Sequence, residues 1–480
     1  MALSFVAFFV LSLTIVLPLL VLAGKKYRGD GGGDGRRLPP SPPGVPLLGH
    51  LHLLRSLPHR ALRSVAAAHG PVVLLRLGRR APTVVVSSAA AAEEVMRTRD
   101  LAFASRPRSA MADRLFYGRD VGFTPYGDYW RQARRICVAH LLSARRVLSF
   151  RRVREQEAAA LVGRVPARAA AGAAVNLGEL LIAYANAVVS RATFGDESAR
   201  GLCSDGDRGR QLRKVFADFQ ELLAKQPVGE LVPWLGWVDT VSGLEGKIKR
   251  TFEALDGVLE KRNAKEHGIE LGTTEIKAII MDMFGAGTDT TTTVMEWAMA
   301  ELVAHPRSMR ALQAEIRGST GAAAAVTEDH LGGLRYLTAV VKETLRLHAP
   351  VPLLVPREAA ADAEILGHHV PAGTRVVINA WAIGWDAAAW EDGEEFAPER
   401  FLGVGSGVDY RGQDFRFVPF GAGIGFAETT IHMGLASLLY HFDWEAAGGN
   451  GAASLDMSES SGFSVHIKSG LTLVAKPWFR

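Results

Sequence analysis

Met1 to Gly24 carries no charged side chain, and its centre, FVAFFVLSLTIVLPLLVLA, is almost wholly apolar. Roughly 20 apolar residues suffice to cross a bilayer as a helix. Pro18 would kink such a helix without excluding it. A cleaved signal peptide would carry basic residues ahead of a shorter apolar core. Here the first basic residue is Lys25, so the pattern predicts an uncleaved anchor over residues 1–24. Further on, Arg145–Arg164 and Leu212–Leu223 repeat apolar positions at helical spacing. Val72–Leu77, Thr83–Ser87 and Thr374–Ile378 read as short strands. Polar and glycine-rich breaks fall near Gly201–Gly209, Gly318–Ala324 and Gly403–Gly412. No repeat and no long linker interrupts residues 51–480, which predicts one large domain, mainly α with minor β.

The longest helical pattern runs from Thr274 to His305, with Thr273 or Thr274 available as a cap and Pro306 as a stop. At 1.5 Å per residue it would reach about 48 Å, across a whole domain. Its middle, GAGTDTTTT, is unusual. Gly285 and Gly287 would admit a flat ligand close to the backbone. Asp289 beside Thr290 could pass protons. The same residues also fit a glycine kink with threonines bonded back to the helix.

Charge adds orientation. Lys25, Lys26, Arg28, Arg36 and Arg37 follow the anchor, and such residues stay on the cytosolic side. Residues 25–50 join a glycine-rich tether to a stiff proline-rich segment, LPPSPPGVPLLGH. The chain is 480 residues long, 48% hydrophobic and 22% charged, as expected of an ordered globular protein. The net charge of +5 is dispersed. That suits an ordinary solvated surface or a basic face for an acidic protein partner, and no nucleic-acid motif is present. Two cysteines, Cys137 and Cys203, form no disulfide framework and point to a reducing compartment.

Glu343 and Arg346 stand one helical turn apart in KETLRLH, Arg400 lies in PERF, and Trp130 and Arg134 lie in YGDYWRQARR. In this order, around the AGTDTT helix, they resemble the cytochrome P450 family, most closely its plant A-type members, over the whole chain. The resemblance implies the cytochrome P450 fold behind a single N-terminal transmembrane helix, and a haem-dependent monooxygenase on the cytosolic face of the endoplasmic reticulum membrane. It implies dioxygen and NADPH-derived electrons, a flavoprotein reductase as partner, and a small apolar plant metabolite as substrate. Glu343, Arg346 and Arg400 would form a buried architectural network. Trp130, Arg134 and Arg357 would meet the haem propionates, and Ala286 and Gly287 would pass over the ring. Phe420 and Gly423 would open the ligand loop, and Asp289 and Thr290 would deliver protons. Substrate contacts would come from Ser105–Tyr126, Asp282–Thr290, Pro350–Pro356 and Ser458–Phe463.

The chain departs from the family at the loop F-x-x-G-x-R-x-C-x-G, whose cysteine thiolate ligates the iron. Here the stretch reads PFGAGIGFAETT, with Gly425 and Ala427 in place of the arginine and cysteine. The stretch Ile424–Trp444 instead matches the family pattern downstream of C-x-G. About six residues, the metal ligand among them, are therefore absent between Gly423 and Ile424. Cys137, Cys203 and His432 are the chain's candidate substitutes, although lone residues of these types are usually structural. Trp385 also replaces a usual arginine, and Lys261–Thr274 is shorter than the family pattern. Three readings stay open: an active monooxygenase, a haem-poor non-catalytic relative, or a truncated gene sequence.

Overall fold

The computed structural model describes residues 36–46, 48–54, 57–78, 81–168, 174–195, 207–260, 272–420, 426–447 and 455–478. The predicted anchor over 1–24, the tether up to residue 35, Cys203, Gly423 and Ile424 lie outside them. Among the described residues no helix is long and apolar enough to cross a membrane. The fold is mainly helical with short sheets.

The chain folds into two compact units. The first combines the stretch up to Pro107 with Gln226–Leu244 and Pro356–Asn379. Its sheet explains why no linker marks it. Val72–Leu75 pairs antiparallel with Thr83–Val86, which pairs parallel with the distant Arg375–Ile378. Arg357–Glu358 adds an antiparallel edge. The proline-rich segment is pinned to this unit. The Leu74 N–H donates to the Pro40 carbonyl at 2.9 Å, and the His50 N–H donates to Arg76 O at 2.7 Å. The His50 ring accepts the Arg76 N–H at Nδ1 and donates from Nε2 to Pro42 O, both at 2.8 Å. Gly49 has φ +59°, and a Cβ there would stand 2.2 Å from Arg76 O, so only glycine allows this approach.

The second unit carries the helices that matter for function. They are α1 (Asp128–Cys137), α2 (Arg151–Arg168), α3 (Leu177–Phe194), α4 (Asp207–Ala224), α5 (Thr273–Gly287), α6 (Asp289–Ala304), α7 (Arg335–Leu347) and α8 (Phe426–His441). A three-stranded sheet of Val175–Asn176, Thr472–Pro477 and Phe442–Ala446 closes it. Tyr184, Phe284, Trp297 and Leu435 are fully buried in its core. Trp297 stacks on His348 with 4.0 Å between ring centroids, and its indole N–H donates to Val465 O at 2.8 Å.

Two helical expectations change in detail. The Arg145–Arg164 pattern is divided at Phe150 into a short turn and α2. The Thr274–His305 helix is interrupted at Thr288, giving α5 and α6. Gly285 O accepts from the Gln220 side chain at 2.7 Å, and Ala286 O accepts from the Thr290 hydroxyl. Side chains thus compete for the helix ladder at the turn where it lapses. The N-cap of α5 is Gly272, with no threonine side chain bonding there.

Candidate active site

Glu343 and Arg346 on α7 are fully buried. Arg346 donates to Glu343 from Nε at 2.7 Å and Nη2 at 2.8 Å. Its remaining N–H groups reach the carbonyls of Gly384, Gly393 and Glu395. Arg400 donates from Nε to the same carboxylate at 2.9 Å, and the Ala397 N–H adds a fourth donor at 2.8 Å. A buried carboxylate with this many donors is compensated where a lone one would not be. The network ties α7 to the PERF turn, on the approach to residue 420.

At the opposite end of the motif series, Asp289 opens α6. Its carboxylate pairs with the His466 ring, Oδ1 to Nε2 at 2.9 Å. His466 Nδ1 lies 3.1 Å from Thr293 Oγ1 and 3.7 Å from Glu296 Oε2. Burial disfavours the Asp289 charge, but His466 beside it holds the carboxyl below its ordinary range. Thr290 gives its hydroxyl proton to Ala286 O, so the back-bonded arrangement is the one observed. His466 and Glu296 carry no local motif. One signal was available: Asp289 and Glu296 are two helical turns apart on one face of a helix otherwise apolar in pattern, and such a pair calls for a cation.

Gly287 and Ala286 face differently. A Cβ at Gly287 would meet Val189 on α3 at 3.1 Å, so its small size serves helix packing rather than an open face. Ala286 is exposed. On α1, the Trp130 indole donates to Val121 O at 2.9 Å, and the exposed Arg134 guanidinium lies over its ring at 5.3 Å. Behind them Asp282 accepts the Val121 N–H at 2.6 Å. Burial and the neighbouring Asp120 push the Asp282 carboxyl well up. Arg357 belongs to the first unit and donates to Phe103 O at 3.2 Å. Phe420 packs edge-on against Tyr410. Trp385 donates its indole N–H to Leu347 O at 2.9 Å.

The expected substrate stretches supply an aromatic cluster. Phe116 meets Phe219 at 5.1 Å and Phe123 at 5.8 Å, and Phe123 meets Phe463 at 6.1 Å between centroids. A Cβ on Gly285 would touch both Phe219 and Phe116. Tyr117 and Leu354, in two of those stretches, hold positive φ of 58° and 50°, the kind of local strain that gathers at functional loops. Asp289 on α6 and Thr288 just before it also line a cavity of about 600 Å³ shared with Asn186, Gln220 and Lys214.

The family model for Cytochrome P450 matches residues 39–240 and 214–474. The chain is 43% identical to Cytochrome P450 71A1 of Persea americana over 464 residues, covering 89% of this chain and 91% of the relative. It is 40% identical to (+)-menthofuran synthase of Mentha piperita over 473 residues, covering 92% and 94%. A zebra fish cytochrome P450 solved with progesterone has the same fold, at a TM-score of 0.74 and 23% identity over 88% of this chain and 99% of that one.

Haem is the cofactor that this family brings to the chain. The residues present fit its porphyrin edge and do not fit its iron. The exposed Arg134, stacked on Trp130 without a carboxylate partner among the described residues, suits a propionate. No thiolate is available among the described residues. Burial pushes the Cys137 thiol up to about 12, with Asp282 adding to the shift, so it stays protonated at neutral pH. His432 on α8 has a buried Nε2 without a hydrogen-bond partner, and burial holds the ring neutral.

Proposed function

Because the chain belongs to the cytochrome P450 family of haem-dependent monooxygenases, we propose that, with the six residues at Gly423–Ile424 restored, it inserts one atom of dioxygen into a small apolar plant metabolite. Haem supplies the redox chemistry when bound. The aromatic cluster of Phe116, Phe123, Phe219 and Phe463 beside Gly285 carries the substrate class, since such a lining takes an apolar molecule. The relative named (+)-menthofuran synthase is in keeping with it. Asp289 and Thr290 hold and move the protons that dioxygen reduction consumes. Electrons come from NADPH through a flavoprotein reductase, for which the exposed Arg135, Arg145 and Arg146 offer a basic docking face.

The enzyme sits on the endoplasmic reticulum membrane by the anchor at 1–24, with both folded units cytosolic. Exposed Trp234, Trp237 and Val241 in the first unit, at 50%, 61% and 77%, support a membrane-facing side. Removing residues 1–24 should move much of the protein to the soluble fraction. Secretion of a chain trimmed near Gly24 would sink this topology.

The 480-residue chain is a short form that lacks x-R-x-C-x-G between Gly423 and Ile424. A non-catalytic relic is disfavoured, because Glu343, Arg346, Arg400, Trp130, Arg134, Asp289 and Thr290 all survive. The test is the carbon-monoxide difference spectrum of reduced microsomes. The short form should show no red-shifted thiolate Soret band, and the chain with the six residues restored should show one. A strong thiolate band from the short form would overturn this reading. Transcripts should include a form with the missing codons, and deep reads containing the short form alone would favour the relic.

A further inference from the structure

We propose that His466 is the positioning residue for Asp289, holding its carboxylate toward the C-terminal segment and away from the Thr290 hydroxyl. This rests on the reading of Asp289 as a proton-handling group and adds the residue that governs it.

The hydrogen bonds carry the case. Thr293 has one hydroxyl proton and points it at Asp289 O, 2.8 Å away. Its oxygen, with the proton spent, can only accept, and it lies 3.1 Å from His466 Nδ1 and 3.4 Å from Nε2. Nε2 faces a carboxylate oxygen of Asp289 at 2.9 Å, which also only accepts. Nε2 therefore donates to Asp289, and Glu296 Oε2, 3.7 Å from Nδ1, sets a second carboxylate beside the ring. The Thr290 proton is given to Ala286 O, which leaves none for Asp289. The charges agree: the groups that set the ring's ionisation are the Asp289 and Glu296 carboxylates of α6. Burial opposes the ring's charge, and these two carboxylates outweigh it and push His466 up to about 10.

The backbone that presents the ring is fixed as well. The Ser460 N–H donates to His466 O at 2.8 Å, and the His466 N–H donates to the Ser460 hydroxyl at 3.2 Å. Glu296 accepts the Leu471 N–H at 3.1 Å, which ties the same segment to α6. The pair holds one transferable proton. Moving it from Nε2 to Oδ1 leaves a neutral imidazole and a neutral carboxyl, with charge balanced. The cavity of about 600 Å³ that Asp289 lines has room, and polar partners in Asn186, Gln220 and Lys214, for the water that would restore that proton.

The test is a histidine titration by NMR on the full-length chain in detergent, with ¹³C and ¹⁵N in its imidazoles. His466→Gln identifies the signal. In the wild type that ring should keep imidazolium shifts to about pH 9. In Asp289→Asn its proton affinity should fall about 100-fold, and Glu296→Gln should give a smaller fall. A wild-type midpoint near that of an ordinary histidine, or one unmoved by Asp289→Asn, overturns the proposal. If Asp289→Asn does not fold, the wild-type midpoint and Glu296→Gln decide. A merely structural ring would leave the midpoint unmoved. The titration needs neither haem nor turnover, so its failure is separate from failure of the monooxygenase reading.

Discussion

Two buried carboxylates of the same unit are neutralised in opposite ways. Glu343 meets two guanidinium groups, and the Arg346 side chain is 0% exposed with its N–H donors spent on Glu343 and three backbone carbonyls. Asp289 meets one imidazole, 27% exposed and shared with Glu296. Guanidinium does not titrate in proteins, whereas imidazole does. The first arrangement, with its donors spent and its carboxylate fully buried, suits architecture. The second can gain and lose a proton in place, which suits chemistry.

The strongest way to break that contrast is Glu343→Ala. It leaves Arg346 and Arg400 facing each other without their anion, and removing one partner of a buried pair costs about 3–5 kcal/mol. The full-length chain should lose most of its folded yield or show a large drop in Tm. A cost no larger than that of Asp289→Asn would erase the distinction.

Asp289→Asn is the next largest. Losing a hydrogen bond between charged groups costs about 1.5–3 kcal/mol, discounted here because His466 is partly exposed. The pH dependence separates it from Glu343. His466 is raised from its ordinary 6.5 to about 10 on folding. Its contribution is therefore full below the unfolded pKa and is lost as pH rises through about 10. Asp289 is lowered, so its contribution is present above the ordinary carboxylate pKa and is lost as pH falls through the lowered value. Wild-type Tm should fall on the alkaline side, and Asp289→Asn should flatten that limb. Parallel curves for wild type and variant would remove the pair from the account of stability.

Asp282 sharpens the comparison as a carboxyl with no cation. It accepts the Val121 N–H at 2.6 Å, while burial and Asp120 push it well up. A carboxyl raised on folding favours the folded state at low pH, and that advantage is lost as pH rises through the folded value. Asn keeps the acceptor and cannot ionise. Asp282→Asn should be near neutral below the unfolded carboxylate pKa and should become stabilising relative to wild type as pH rises through the folded value. Destabilisation at pH 8 would show that Asp282 has a cationic partner in solution.

Legibility in the sequence divides along the same line. Glu343 and Arg346 fall in one helical turn, and PERF is a compact turn motif, so their chemistry is visible in short windows. The strands at Val72–Leu75, Thr83–Val86 and Arg375–Ile378 are apolar runs and are also visible locally. Their pairing is not, because the parallel partner of Thr83–Val86 comes from far along the chain. His466 was invisible for a related reason. It lies in SVHIK, a stretch with no motif, and only folding brings it against Asp289. The break at Thr288 depends on Gln220 reaching Gly285 O from α4, again a tertiary event.

Thr290→Ala should have the smallest effect on stability and a large one on chemistry. The hydroxyl makes one bond, back to Ala286 O in its own helix. Such a bond competes with the helix ladder rather than adding to it. Alanine also has the better helix propensity, by up to about 0.7 kcal/mol. The two terms oppose each other, so Tm should stay within the range of about ±0.5 kcal/mol seen for neutral substitutions. In the chain with the six residues at Gly423–Ile424 restored, the same variant should still consume NADPH but release less product per NADPH. Unchanged stability with unchanged coupling would assign Thr290 to the helix alone. A stability loss as large as that of Asp289→Asn would place it with the architectural group, on the same side of the comparison as Glu343.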